Sequence, residues 1–524
     1  MDIYYLFSRS VQRYGDKTAL IDDRRQVTYN QLSNRVDRLA NGLRARGVGK
    51  GDRVCLLMNN SICWVESDYA LAGLGAVRTR LNARDGAREY RFVVNDVGAK
   101  AIIFGAEFWG TLKTVLPDLP TVETLICIGK PDSSVEDLPD TVFDYEELIA
   151  GASESFDPEP LTGDELYYIM HTSGTTGNYR GAEYSHHHWI NATVRNTLLD
   201  PIRDVSDQDV FIHAAPLTHM SGCLITPTLM RGATNVILEK FEPPTFLQAV
   251  QDHRASMTIL PPTIIGFLLN FQDLDKYDVS SLRTILYAAS PIAPSVLERA
   301  IKAFGNVFYQ GYGLTESLFF VTGLEKADHD VANPQRLLSC GRELSSVRIR
   351  IVDGMGHDVP DGEEGELVIQ GDNLCLGYWN QPGATDDAFV DGWFHTNDVA
   401  RRDENGYLYI VDRKADMIIS GGFNVYPKEV EDVIYRHPAV MECAVVSTPD
   451  ERWGEGVKAY IALKPGVKAT ADEIIDFCAN SGLGRYKKPR YVEFVDEIPK
   501  NPAGKVLRRV LKARSWEGHE RSVG

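Results

Sequence analysis

The sequence predicts an α/β protein: a large N-terminal domain of stacked α/β sheets with a small β-barrel-like subdomain, followed by a small, mobile α+β C-terminal domain. Three observations support this prediction. The chain has 524 residues, of which 44% are hydrophobic, and is therefore too long for one ordinary core. Short apolar runs alternate with segments of helical period through roughly the first 410 residues, a pattern typical of largely parallel sheets. The pattern then becomes alternating, and a compact tail ends the chain.

The individual elements follow from local patterns. Apolar runs bounded by turn residues predict buried strands at 54–58, 101–104, 236–238, 257–260 and 284–287. A segment rich in alanine and leucine predicts a helix over 67–77. Alternating residues at 347–352 and 366–370, on either side of a DGMGHD turn, predict the small subdomain. In the tail we predict helices at 427–437 and 471–478 and strands at 444–447, 458–463 and 491–494.

These elements place the domain boundaries. We predict an N-terminal domain over 1–411, a hinge at 412–416 and a C-terminal domain over 417–524 that closes as a lid. The C-terminal domain is large enough to fold as its own unit. The hinge would allow the two domains to change their relative orientation.

Composition excludes several classes of partner. The formal net charge of −18 argues against nucleic acid, whose nonspecific binding requires a basic surface. No stretch approaches the roughly 18 uninterrupted apolar residues that cross a bilayer. Eight cysteines without paired spacing predict buried, reduced thiols, as in a cytoplasmic protein. We therefore expect neither nucleic acid nor a membrane as partner, and a cytoplasmic location.

A run of small residues after the apolar stretch 166–170 is the first candidate site. Glycine, serine and threonine let backbone N–H groups and hydroxyls converge on an anion without obstruction by Cβ atoms. By itself, this run is equally consistent with a polar turn. The candidate phosphate loop consists of Thr172, Ser173, Gly174, Thr175, Thr176 and Gly177, with Arg180 close behind.

Further motifs occur in a fixed order along the rest of the chain. They are Pro-Leu-Thr-His at 216–219, Tyr-Gly-Leu-Thr-Glu at 312–316, Thr-Asn-Asp at 396–398, Asp-Arg-Lys-Ala-Asp at 412–416, Ser-Gly-Gly at 420–422 and Gly-Lys at 504–505. With the phosphate loop, these motifs make the sequence resemble the adenylate-forming superfamily, in its acyl-CoA synthetase branch. The resemblance extends nearly from end to end.

The resemblance implies a two-step activity. Such enzymes join a carboxylic acid to AMP with loss of pyrophosphate, rotate the C-terminal domain and pass the acyl group to the thiol of coenzyme A. The substrates would be ATP or an acyl-adenylate, a carboxylic acid and coenzyme A, with Mg²⁺ as the metal ion. The fold alone does not determine this chemistry, so the site residues carry it.

The resemblance also assigns roles to individual residues. Lys505, His219, Thr315 and Glu316 would be catalytic, and Glu316 would hold Mg²⁺. Gly421 and Gly422 would line the coenzyme A tunnel. AMP would be bound by Ala289, Ser290, Pro291, Tyr312, Gly313, Thr315, Asp398 and Arg413. The acyl pocket would be lined by His219, Gly222, Cys223, Gln310 and Gly311.

The segment after the phosphate loop departs from the family pattern. Tyr179 replaces a proline that would preset φ, and Arg180 replaces a compact lysine ammonium. Glu183 places a carboxylate where an apolar residue is usual, near the place where we expect pyrophosphate to leave. Asn397 replaces a usual glycine. These departures raise the hypothesis that the adenylation half-reaction is impaired, although the retained Lys505 argues against it.

Several functions therefore stay open on sequence alone. The first is a complete acyl-CoA ligase, and the second is a thioesterification-only enzyme that uses acyl-adenylate made by a separate adenylating ligase. The third is loading of a carrier-protein thiol, and the fourth is an inactive adenylate-binding protein. The segments expected to line the acyl pocket are small or apolar, so we expect a neutral, hydrophobic acid, such as one in natural-product biosynthesis.

Overall fold

The computed structural model describes residues 1–129, 141–172, 179–413, 416–420, 423–450, 452–481, 483–484, 486–500 and 506–517. Its helices are α1 Ile3–Tyr14, α2 Tyr29–Ala45, α3 Ile62–Leu74, α4 Ala87–Val97, α5 Trp109–Val115, α6 Tyr145–Ala150, α7 His186–Trp189, α8 Asn196–Leu199, α9 Ile225–Met230, α10 Pro243–His253, α11 Pro262–Asn270, α12 Pro294–Phe304, α13 Pro382–Ala388, α14 Pro427–Ile434, α15 Ala471–Ala479 and α16 Arg508–Ser515.

The first half of the strands, in chain order, is β1 Thr18–Ile21, β2 Gln26–Thr28, β3 Arg53–Leu57, β4 Val77–Arg80, β5 Ala101–Gly105, β6 Thr124–Ile128, β7 Val142–Asp144, β8 Leu166–Thr172, β9 Arg180–Ser185, β10 Val210–His213, β11 Thr234–Ile237, β12 Met257–Leu260 and β13 Thr284–Tyr287. The second half is β14 Phe308–Gly313, β15 Phe320–Leu324, β16 Arg342–Glu343, β17 Val347–Val352, β18 Gly365–Gly371, β19 Phe389–Val390, β20 Trp393–Arg402, β21 Leu408–Arg413, β22 Ile418–Ser420, β23 Phe423–Val425, β24 Val440–Asp450, β25 Gly454–Leu463 and β26 Tyr491–Phe494.

Two large sheets form the N-terminal part. One has the strand order β7-β6-β5-β3-β4-β8-β9, and the other has the order β16-β15-β14-β13-β12-β10-β11-β1-β2. Their central strands are parallel, and the edge strands β2, β9 and β16 are antiparallel to their neighbours, whereas the edge strand β7 is parallel. One core cluster contains residues from both sheets. Strands of this kind are buried on both faces, which is why they are visible in the sequence as continuous apolar runs. The predicted stacked α/β sheets are confirmed.

The predicted helix over 67–77 was wrong at both ends. The helix α3 begins at Ile62 and ends before Gly75, whose φ of +64° caps it, and Val77 already starts β4. Every residue of α3 is buried, so it has no polar face from which a helical period could be read. The left-handed cap at Gly75 is the local signal that stops the helix.

Two smaller sheets follow in the chain. Strands β17 to β21 form an antiparallel sheet, which is the predicted small subdomain. Strands β22 to β26 form a sheet with helices α14 and α15 packed on it, the predicted α+β unit. Its helix α14 ends at Ile434, three residues before the predicted end, whereas β24 extends beyond the prediction because it pairs along its length with β25.

Two predictions from composition can be compared with the fold. All eight cysteines lie in described residues, where each is buried and unbonded to another cysteine, as predicted. Burial raises the pKa of the Cys223 thiol to about 12 and that of Cys340 to about 11, so both stay protonated. Within the described ranges, no helix combines the length and apolar character needed to cross a bilayer.

Candidate active site

The candidate residues lie where parallel strands of both large sheets end, the usual position of ligand sites in open α/β folds. Strand β8 ends at Thr172 and leads into the candidate phosphate loop. Strand β10 leads into the segment 214–223, and β13 leads into the turn that contains Ala289. Strand β14 pairs with β13 and contains Gln310 and Tyr312. The sheet topology therefore brings together motifs that are far apart in the sequence.

Three predicted AMP-binding residues contact one another directly. The Tyr312 hydroxyl donates to Asp398 Oδ2 at 2.5 Å, and Arg413 Nε lies 3.2 Å from Asp398 Oδ1. Asp398 and Arg413 face each other in the ladder of β20 and β21. Burial and the neighbouring Asp398 raise the pKa of Tyr312 well above its ordinary value, so its hydroxyl stays a donor. An aromatic ring, a carboxylate and a guanidinium in this order suit a base attached to a sugar.

The backbone on both sides of this group is in unusual conformations. Asn397 has a φ of +59° and donates its N–H to Glu366 Oε1 at 3.1 Å. Asparagine tolerates the left-handed region better than most residues, which explains how it can stand in place of glycine. Ala289 has a φ of +75°, where alanine is strained, and is exposed beside Ser290 and Pro291.

Glu316 and Thr315 follow Gly313 and are held by residues from distant segments. The Tyr378 hydroxyl donates to Glu316 Oε1 at 2.8 Å, and the Tyr184 hydroxyl donates to the carbonyl of Thr315. The backbone N–H of Cys375 donates to the Glu316 carbonyl at 2.7 Å. Among the described residues there is no cluster of three or more potential metal-ligating side chains. A magnesium ion here would therefore depend on Glu316 and on phosphate oxygens, which is how this ion is commonly held beside nucleotides.

The strand after the phosphate loop separates two of the charged residues that depart from the family pattern. Its residues alternate between the two faces of the sheet, so Arg180 and Glu183 point to opposite faces. Arg180 Cζ lies 5.1 Å from the centroid of the Tyr378 ring, the ring whose hydroxyl contacts Glu316. Glu183 instead pairs with Ile169 on the face of a separate core cluster, and burial raises its pKa. The Glu183 carboxylate therefore lies on the opposite face of β9 from Arg180, and its place near the departing pyrophosphate stays a prediction.

The predicted acyl-pocket residues come from two segments. His219 is partly exposed and its Nδ1 lies 3.1 Å from Thr218 Oγ1, whereas Cys223 is buried. A Cβ on Gly222 would lie 2.0 Å from the Leu217 carbonyl, so only glycine fits this turn. Burial, followed by the charges of Arg80 and Arg84, lowers the pKa of His219 well below its ordinary value, and the ring is neutral.

The second segment of the predicted acyl pocket lies on β14. Gln310 Oε1 lies 3.1 Å from the Tyr287 hydroxyl, and Gln310 shares a strand face with Tyr312. A Cβ on Gly311, on the opposite face, would lie 2.2 Å from Cγ of Phe320. The described part of the site therefore contains small residues, one amide and one neutral imidazole along its predicted acyl side.

Several predicted residues lie outside what the structure describes. They are Ser173, Gly174, Thr175, Thr176 and Gly177 of the phosphate loop, Gly421 and Gly422 of the predicted tunnel, Lys505, and residues 414–415 of the hinge. The side chain of Thr172 also lies outside the described part of the structure.

Sequence reasoning missed three residues that organise the site. Tyr378 and Tyr184 hold Glu316 and Thr315, and Arg80 donates to the carbonyl of Thr218 at 2.5 Å and to that of His171 at 3.3 Å. Arg80 thus connects the acyl segment with the start of the phosphate loop. Their partners lie between 62 and 138 residues away in the chain, so no local pattern marks them.

The α/β fold, together with the tyrosine, aspartate and arginine that contact one another, is the arrangement expected of an adenylate-binding enzyme. Residues 7–379 match the family model of AMP-binding enzymes, and residues 429–505 match that of the AMP-binding enzyme C-terminal domain. The chain belongs to the AMP-binding enzyme family. The predicted class within it, an AMP-forming acyl-CoA ligase, is confirmed by the relatives.

Two relatives and one solved structure illustrate the match. A medium/long-chain-fatty-acid–CoA ligase of Mycobacterium tuberculosis is 33% identical, covering 99% of this chain and 91% of that protein. A feruloyl-CoA synthase of an Amycolatopsis species is 35% identical, covering 93% of this chain and 94% of that protein. The structure of an anthranilate CoA ligase in complex with anthranoyl-AMP is 26% identical with a TM-score of 0.89, covering 98% of this chain and 97% of that one.

Proposed function

We propose that this acyl-CoA ligase catalyses both half-reactions: it adenylates a neutral, hydrophobic carboxylic acid with ATP, and it then transfers the acyl group to coenzyme A. The observation that carries the proposal is the arrangement of Arg180, Tyr378 and Glu316 on the same side of β9. This arrangement keeps a cation and a potential magnesium ligand together at the phosphate end. Glu183, on which the hypothesis of impaired adenylation partly depended, lies on the opposite face of β9 from Arg180.

The AMP end would hold the nucleotide in both half-reactions. The ring of Tyr312 offers a stacking surface for adenine, next to the turn that contains Ala289 and Ser290. Asp398 is buried and can accept from both ribose hydroxyls, while Arg413 donates to the same sugar. The ligand hydroxyls would compete with the Tyr312 hydroxyl for Asp398, so nucleotide binding is expected to lengthen that contact.

The end of the site that faces the β- and γ-phosphates would act in adenylation alone, whereas Thr315 at the α-phosphate would act in both half-reactions. The carboxylate of the acid attacks the α-phosphorus, the bond to the bridging oxygen of pyrophosphate breaks, and acyl-adenylate and pyrophosphate form. Thr315 would donate its hydroxyl to an α-phosphate oxygen, and Arg180 would donate to the departing pyrophosphate. Mg²⁺ held by Glu316 would offset negative charge on the phosphates. Lys505 is proposed, from the family resemblance, to bridge the carboxylate and the α-phosphate.

The second half-reaction requires a thiol close to the acyl carbonyl. The thiol sulfur attacks that carbon, the bond to the phosphate oxygen breaks, and thioester and AMP form. We propose that the lid, 417–524, rotates about the hinge, 412–416, and brings Gly421 and Gly422 to the tunnel. The neutral His219 can accept or donate a hydrogen bond at this point without a change of charge.

The class of acyl group and the cellular location of the enzyme can also be proposed. The relatives act on fatty acids and on an aromatic acid. The described residues of the predicted acyl pocket are small or uncharged, and the imidazole of His219 is neutral. We therefore propose a hydrophobic aliphatic or aromatic acid in a natural-product pathway. The eight buried, unbonded cysteines suit a cytoplasmic location.

The test measures the two half-reactions separately across a panel of medium-chain, long-chain and aromatic acids. We expect pyrophosphate release from ATP with at least one of these acids, and thioester formation from the matching synthetic acyl-adenylate and coenzyme A. Thioester formation without pyrophosphate release would support the thioesterification-only alternative, and transfer only to a carrier protein would support carrier loading. The variant Asp398→Asn should slow both half-reactions about ten- to a hundredfold, since it weakens charge-assisted bonds to the nucleotide.

A further inference from the structure

The two described residues that flank the phosphate loop contact one helix. The loop residues 173–178 lie between His171 and Tyr179, with Thr172 as the last residue of β8. Helix α4 carries Glu89, Phe92 and Asp96 at spacings of three and four residues, which places them on one face. His171 contacts the C-terminal part of this face, and Tyr179 contacts its N-terminal part.

The contact at the start of the loop is an ion pair or a strong hydrogen bond. His171 Nε2 lies 2.8 Å from Asp96 Oδ2, and the His171 side chain is buried. The Asp96 carbonyl also accepts from Trp379 Nε1 at 2.9 Å. Asp96 therefore connects the end of β8 with the segment 375–381, which contains the Tyr378 that holds Glu316.

The contact at the end of the loop involves Tyr179, the residue that stands in place of proline. Its ring centroid lies 5.1 Å from that of Phe92, and its hydroxyl donates to Glu89 Oε1 at 3.4 Å. Its carbonyl accepts from Gln381 Nε2 at 3.1 Å. Phe92 also lies 6.4 Å from the His171 ring, so this one side chain contacts both flanking residues. Aromatic contacts of this kind contribute beyond their buried area.

We propose that helix α4 is a positioning element of the adenylation half-reaction, which holds His171 and Tyr179, the described residues on either side of the phosphate loop. This proposal rests on the proposed function of the loop. A proline at 179 would fix one φ angle, whereas Tyr179 is held because its side chain contacts a packed helix. Flanking residues that are already held in place lose less conformational freedom when a phosphate binds.

A basic residue of α16 also influences Tyr179. Arg509 in α16 follows Lys505 by four residues, and it lies close enough for its charge to act on Tyr179. Burial and Glu89 together raise the pKa of Tyr179, and the charge of Arg509 opposes this shift.

The test uses Tyr179→Ala, Phe92→Ala and the double variant in the full-length enzyme. We expect each single variant to weaken ATP binding and to lower kcat/KM for ATP in pyrophosphate release about three- to thirtyfold, while thioester formation from synthetic acyl-adenylate changes less than about twofold. The double variant should have a kcat/KM for ATP close to that of the more impaired single variant, because both substitutions remove the same contact. Circular dichroism and unfolding curves check that each variant folds.

The matched control is Arg91→Gln, which lies on α4 but forms an exposed ion pair with Asp118, away from the loop. It should leave both half-reactions unchanged. The positioning role would be overturned if both half-reactions lost rate equally, or if the losses of the two single variants added up in the double variant. It would also be overturned if the variants bound ATP with unchanged affinity. ATP affinity measured by calorimetry keeps the test independent of turnover. A wild type that binds ATP without releasing pyrophosphate would contradict the proposed function alone, whereas a wild type that does not bind ATP would overturn both.

Discussion

Single residues at the nucleotide site adopt backbone conformations that their side chains disfavour. Ala289 and Asn397 both have positive φ values, of +75° and +59°, although neither is glycine. Strain of this kind persists where the surrounding structure determines the backbone, and it is concentrated at functional sites. The positive φ costs more conformational free energy at Ala289 than at Asn397, because asparagine adopts the left-handed region several times more often than alanine does.

This difference predicts the result of two substitutions. Ala289→Gly should raise the free energy of unfolding by about 1 kcal/mol, since it removes the strain at the β-carbon, whereas Asn397→Gly should change it by less than about 0.5 kcal/mol. Both are measured by urea denaturation of the purified enzyme. Equal effects of the two substitutions would show that strain at Ala289 is not what distinguishes these positions.

At the scale of elements, strand β9 separates two groups of side chains. Its neighbour β8 pairs Tyr168 with Tyr184 and Ile169 with Glu183, so successive residues enter different core clusters. The free edge of β9 is covered by the segment 375–381, in which the Trp379 N–H donates to the Gly181 carbonyl at 2.7 Å. This pairing carries Tyr378 to a position between Arg180 and Glu316.

The alternation predicts opposite outcomes for two charges three residues apart. Arg180→Gln should lower pyrophosphate release about ten- to a hundredfold, because it removes a charge-assisted contact to the departing group. Glu183→Gln, on the other face, should change it less than about threefold. Thioester formation from synthetic acyl-adenylate should be unaffected by either change. A larger loss of pyrophosphate release in Glu183→Gln than in Arg180→Gln would contradict this assignment of the two residues to faces of β9.

At the scale of the whole molecule, the predicted hinge region is connected to α14 and α16 by a small network of charges. Asp412 in β21 accepts from the N–H of Lys428 at 3.0 Å, in the first turn of α14. Arg508 of α16 pairs with Glu431 at 2.6 Å and lies 3.6 Å from Asp416. Burial raises the pKa of Asp412 to about 6, and the charge of Arg508 opposes this shift.

The raised pKa predicts a pH-dependent contribution to stability. Because the pKa of the folded state is raised, the contribution is fully present below the pKa of the unfolded carboxyl, and it is lost as pH rises through about 6. Between about pH 7.5 and about pH 5, the wild type should therefore gain roughly 1 to 1.5 kcal/mol of stability relative to Asp412→Asn. Urea unfolding of both proteins at the two pH values measures the difference. A gap that does not change with pH would show that the carboxyl titrates normally, and a gap that widens in favour of the variant at low pH would show that its pKa is lowered.

The sequence by itself determined the class of fold, and it predicted a tyrosine, an aspartate and an arginine that the structure brings into contact. The parallel strands could be predicted because burial on both faces leaves continuous apolar runs, as at 257–260 and 284–287, where the predicted and observed bounds agree. The motifs that contain Tyr312, Asp398 and Arg413 are compact and could be recognised directly. The helix α3 could not be placed as well, because a helix buried on all sides has no amphipathic period.

Only the tertiary structure decided which side chains meet. Tyr378 contacts Glu316 across 62 residues, and Tyr179 contacts Glu89 across 90, through sheet pairing and helix packing that leave no local mark in the sequence. The direction of Glu183 likewise depended on the register of β8 against β9, since a shift of one residue would turn it to the other face. Local patterns encode what each segment becomes, whereas long-range pairing determines which segments share a site.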